Sequence, residues 1–113
     1  MSRAVDVLAK VVEFLNAAPL SPLKRRATQG AIGMGAFASW EPVEDFEVAI
    51  SVEFRVDVAS QCMVPTVRLS APSLNTTNLV AAGQSIQFLG EAVRVANDLA
   101  AILAGEKVTL NDL

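Results

Sequence analysis

Residues Phe46 to Ala59 read FEVAISVEFRVDVA. Phe46, Val48, Ile50, Val52, Phe54, Val56 and Val58 fall on one parity, while Glu47, Ala49, Ser51, Glu53, Arg55, Asp57 and Ala59 fall on the other without a break. Alternation with a period of two is the pattern of a β-strand that buries one face. At about 3.3 Å per residue this strand would run roughly 45 Å, against a usual length of about five or six residues, so it is expected to be the central scaffold of its sheet.

The neighbours on either side fit antiparallel partners. A turn near Ser60 and Gln61 leads into a second run, Cys62 to Ala71, and a loop centred there sets Val52 opposite Leu69, Phe54 opposite Val67 and Val58 opposite Met63. The same register sets Glu53 opposite Arg68 and Arg55 opposite Thr66 on the other face. On the N-terminal side, Gly30 to Trp40 (GAIGMGAFASW) alternates again, with Ile32, Met34, Ala36, Ala38 and Trp40 on the apolar parity. A five-residue turn at Glu41 to Asp45 would place Trp40 opposite Phe46 and Met34 opposite Val52. Three strands then share one apolar face in an antiparallel meander.

Helical spacing appears at both ends. In Ser2 to Ala17, Val5, Leu8, Val12 and Leu15 form a stripe with Val7, Val11 and Phe14 beside it, and Arg3, Asp6, Lys10 and Glu13 form a narrow polar line. Pro19, Ser21 and Pro22 end that helix and open a connector that carries Lys24, Arg25 and Arg26. After Pro72, Ser73 to Asn78 supplies N-cap residues for a long helix reaching Ala104, with Gly105 as its stop. Ile86, Leu89, Val93, Ala96, Ala100 and Leu103 repeat about every 3.5 residues, and Phe88, Ala92, Val95, Leu99 and Ile102 make a second apolar line. Gln84, Gln87, Glu91, Arg94 and Asp98 are left as the polar stripe. In the tail, Glu106 to Leu113, Val108 and Leu110 suit an edge strand or a docking segment. The expected fold is a single α+β domain over residues 1–113, in the order α-β-β-β-α.

Composition narrows the possible functions. The chain is 52% hydrophobic and 19% charged, with mean hydropathy +0.42, an excess for a domain of 113 residues that points to surface buried between subunits. The longest apolar run, Leu99 to Ala104, is six residues, far short of the roughly eighteen of a membrane span. Charged residues interrupt the N-terminal helix in a way a signal peptide does not allow, so a cytoplasmic location is expected. There is no histidine and one cysteine, which removes His-based triads, intrachain disulfides and Cys/His metal clusters. A net charge of −3 and a pI near 4.8 argue against a protein devoted to phosphate backbones.

No residue is nominated as catalytic, cofactor-binding or metal-binding. Lys24, Arg25 and Arg26 hold three of the nine basic residues and, with Arg55 and Arg68 on the outer sheet face, are the candidate contacts for a protein partner or a nucleic acid. The bland alternative is a solvated connector and an ordinary Glu53–Arg68 cross-strand pair, and no aromatic platform accompanies the cations. Glu53 and Asp57 would lie some 13 Å apart along one strand, too far for an acid–base pair. Gly83 and Gly90 lie seven residues apart on the long helix, on one line with Ile86, Val93 and Asn97. Since an interior helical glycine costs roughly 1 kcal/mol, this line is the candidate seam for self-association. Cys62 reads as a structural thiol, and Asn75-Thr76-Thr77 as helix capping.

The leading expectation is a non-enzymatic homo-oligomeric interaction or assembly protein, a small adaptor, inhibitor or structural component. Its size and lack of motifs suggest viral or mobile-element origin. It needs no cofactor and no membrane, and its partners would be itself and another protein. Two alternatives are a nucleic-acid-binding oligomer using Lys24 to Arg26, and a small-ligand carrier or enzyme with a pocket between helix and sheet.

Overall fold

The computed structural model describes residues 3–20, 23–29 and 35–109. In chain order the elements are α1 (Ala4–Ala17), β1 (Leu23–Gln29), β2 (Gly35–Val43), β3 (Phe46–Asp57), β4 (Cys62–Ser70), α2 (Leu79–Leu103) and β5 (Val108–Thr109). The strands form one antiparallel sheet in the order β1-β2-β3-β4-β5. Both helices pack on one face of it, α1 over β1 and β2, α2 over β2, β3 and β4.

The alternation in β3 explains this two-layer build. Val48, Ile50 and Val52 are completely buried, together with Ala38 and Trp40 of β2. The Trp40 ring lies 6.5 Å from that of Phe88, tilted by 54°, and so joins the sheet to the middle of α2. Leu99, Ala92 and Leu103 continue the helix's contribution, while Val7, Val11 and Leu15 supply that of α1. Local signals set the helix ends. The Asn78 side chain accepts hydrogen bonds from the Val80 N–H at 3.0 Å and the Ala81 N–H at 3.2 Å, and Gly105 takes φ +84° just past the last turn. A Lys10–Glu106 ion pair of 3.3 Å ties α1 to the segment after α2.

The α+β class, both helices and the three central strands agree with the pattern in the sequence; the sheet gains β5 at Val108, where the tail suits an edge strand, and one strand that was not expected, β1. Lys24, Arg25 and Arg26 belong to β1, paired with β2, and not to a connector. Charged residues hide an edge strand from a search for alternation. Both hairpin registers are offset by two residues from expectation. Trp40 faces Val48 and Ala36 faces Val52, because the turn is only Glu44–Asp45, with Asp45 at φ 65° and an irregularity between Trp40 and Val43. Across the other hairpin Val52 faces Val67, Phe54 faces Pro65 and Val56 faces Met63. A shift of two keeps every residue on its face, so parity alone does not detect it.

The same shift sets Ser51 opposite Arg68 and Glu53 opposite Thr66, removing the expected Glu53–Arg68 cross-strand pair. The β3–β4 hairpin also outruns the helices. Val56 and Val58, expected inside, are 61% and 84% exposed, and Val5 of α1 is likewise exposed. Ser2, Ser21, Pro22, the positions Gly30 to Met34 assigned to a strand and Leu110 of the tail lie outside the described residues.

Val52→Asp should unfold the domain, since an unpaired charge at this fully buried site costs on the order of 4 kcal/mol. Ser51→Asp, on the opposite face and across from Arg68, should stay within about 1 kcal/mol of the parent in chemical denaturation. Gly35→Ala should cost about 1–3 kcal/mol, because its Cβ would stand 2.7 Å from the Val52 carbonyl oxygen.

Candidate functional site

Leu79 to Leu103 makes seven turns of helix, and the positions that face the sheet are Ser85, Phe88, Ala92, Val95, Ala96, Leu99 and Leu103. At 100° per residue the opposite side is the line Leu79, Gly83, Ile86, Gly90, Val93, Asn97, Ala100, running on to Ala104 just past the helix. The spacing alternates strictly between four and three residues, and every member is exposed. Leu79 is 87% exposed, Ile86 61% and Val93 45%. A helix side turned to water is normally where charge collects; this line carries none.

The five residues of the expected seam, Gly83, Ile86, Gly90, Val93 and Asn97, are thus brought together on one outward stripe. Nothing lies within 4 Å of a Cβ built on Gly83 or Gly90, so neither glycine is required by packing inside the chain. Both weaken the helix and leave a shallow depression in its outer surface.

The charges of α2, Glu91, Arg94 and Asp98, gather along one edge of this stripe with Gln87. They border a groove of about 320 Å³ between α2 and the end of α1, with Phe14, Ala18, Leu20 and Val95 in its lining. Sequence patterning did not locate this groove, which forms only where α1 ends beside α2; the one available signal was Phe14 lying off the main stripe of its helix. A second cavity, of about 440 Å³, opens where the β2–β3 turn meets α2, with Phe46, Leu74, Asn75 and Ser85 in its lining.

The basic candidates are scattered. Arg55 faces Val64 and Arg68 faces Ser51, about four residues or 13 Å apart along the hairpin. Lys24 to Arg26 lie two strands from β3, Arg25 in register with Ser39 and Arg26 with Ala38. Asp57 holds the hairpin tip, accepting from the Ala59 N–H at 3.3 Å and the Ser60 hydroxyl at 2.8 Å. Cys62 is buried at the start of β4, where its thiol donates to the Ser60 carbonyl. Ser39 is buried, and its hydroxyl has no hydrogen-bond partner among the described residues.

Among the described residues no group of three or more Cys, Asp or Glu side chains is placed to hold a metal ion, and no helix is long and apolar enough to cross a membrane. Comparison with protein-family models, with curated proteins and with solved structures finds no match.

Gly90→Ala separates the two demands on α2. It should stabilise the isolated chain by about 1 kcal/mol through helix propensity, read as a higher midpoint in dilute denaturation. If a second surface packs closely at Gly90, the same substitution should weaken association at high concentration; stronger association would place Gly90 outside the contact.

Proposed function

We propose that the chain is a non-enzymatic assembly protein that self-associates through the outward side of α2 and acts as an adaptor, inhibitor or structural component. One observation carries this reading: α2 is apolar on two opposite sides, and only one of them is covered by the sheet. The scatter of Arg55, Arg68 and Lys24 to Arg26 over separate strands favours it over the nucleic-acid alternative, which needs a continuous basic footprint.

A rough magnitude indicates the kind of association. Covering the exposed fractions of Leu79, Ile86 and Val93 in two copies, at about 1.5–3 kcal/mol per fully buried side chain, gives roughly 6–12 kcal/mol. The loss of free motion on binding costs about 4–15 kcal/mol, so the stripe by itself supports a reversible contact and leaves a share of the affinity to its edges.

Sedimentation of three variants tests the proposal. Ile86→Lys and Val93→Glu should shift the protein to monomer while keeping thermal stability close to the parent, since both side chains are solvent-facing. Gln84→Lys, an exposed residue off the stripe, should associate like the parent. Undiminished association of Ile86→Lys and Val93→Glu would refute the proposed surface.

A further inference from the structure

Resting on α2 as the self-association surface, we infer that two copies pair α2 against α2 in antiparallel fashion. The two-fold axis lies midway between Gly90 and Val93, and Arg94 of each copy stands across from Gln87 and Glu91 of the other. The occupant of the stripe is therefore a second copy of this chain, and two independent features of α2 select its direction.

The first is side-chain size along the stripe. The bulky members, Leu79 and Ile86, are in the N-terminal half, while Ala100 and Ala104 close the C-terminal half. A parallel pair would set each residue near its own copy, crowding Leu79 on Leu79 and Ile86 on Ile86 and leaving alanine on alanine at the far end. Reversing one helix about the stated axis sets Leu79 on Ala104, Gly83 on Ala100, Ile86 on Asn97 and Gly90 on Val93. Apart from the small Gly83–Ala100 pair, each bulky residue then meets a smaller one, and the helices keep an even separation along their length.

The second is charge. The stripe has one polar edge, with Gln87, Glu91 and Arg94, and one apolar edge, with Ala82 and Leu89. A parallel two-fold lays polar edge on apolar edge and presses Arg94 against Leu89 of the other copy. An antiparallel two-fold lays each edge on its own kind, so the Arg94 guanidinium meets the opposite Glu91 carboxylate twice, once at each side of the axis. Arg94 is exposed and forms no ion pair among the described residues, although Glu91 and Asp98 are one turn away, so it is available for this contact.

Distance measurement between nitroxide labels tests the direction. Thr77→Cys places a label on an exposed residue ahead of α2 and off the stripe, with the native Cys62 buried. In the antiparallel pair the two labels are about 40 Å apart, given 1.5 Å of rise per residue about the stated axis; in a parallel pair they are within about 20 Å. A distance near the longer value is expected. The shorter value in an intact dimer overturns the antiparallel arrangement and leaves self-association standing, whereas an absence of dimer overturns the assembly reading itself. Charge exchange tests the edge: Arg94→Glu and Glu91→Arg should each weaken the dimer roughly five- to tenfold, and the double exchange should recover the parent affinity. Arg94→Glu that dimerises like the parent overturns the Arg94–Glu91 contact.

Discussion

The structure depends on closing the apolar side of β3. Val48, Ile50 and Val52 cannot remain in water, and their alternation forces the strands beside them to present Ala36, Ala38, Trp40 and Val67 on the same side. Both helices must then lie on that one face. Trp40 is the joint of the assembly, completely buried and in contact with Phe88, so that the widest side chain of the sheet fixes where the middle of α2 sits. Removing it would open a cavity under both layers at once.

That closure has a cost in exposed surface. With two helices on one face of a long sheet, the outer side of α2 and the tip of the β3–β4 hairpin are turned to solvent. The hairpin tip keeps its shape through its own polar contacts, with Asp57 bracing the turn and Gln61 in the left-handed region. The outer side of α2 has no such compensation, since glycine, valine, isoleucine and alanine occupy places where lysine or glutamate would stabilise a solitary helix. A chain this rich in apolar residues fits more naturally with a second closure, helix on helix, than with a stripe left in water.

Much of this could be read in the sequence, and the parts that could not share a cause. Unbroken alternation in Phe46 to Asp57, the Asn78 cap and the Gly105 stop are local signals, and the structure follows them to within a residue or two. Register is not local: offsets of two residues preserve each face, so only the true turn length at Glu44–Asp45 distinguishes them. β1 escaped because Lys24, Arg25 and Arg26 at an edge need not alternate, and the exposed Val56 and Val58 because pattern says which side faces inward but not how far the cover extends. The exposed stripe through Gly83 and Gly90 could be traced from helical spacing, whereas the groove beside Arg94 depends on where α1 ends in space.

We propose above that α2 closes against another copy of itself. The measurement that tests it most directly is the mass of the unaltered chain by light scattering over a dilution series, at low and high salt, with the ultraviolet absorbance ratio checked for nucleic acid. Pairing through α2 should give nucleic-acid-free protein at twice the 11.9 kDa chain mass when concentrated, persisting in high salt and falling toward one chain on dilution. A mass of 11.9 kDa at every concentration, or a complex held by nucleic acid that salt strips away, would contradict it.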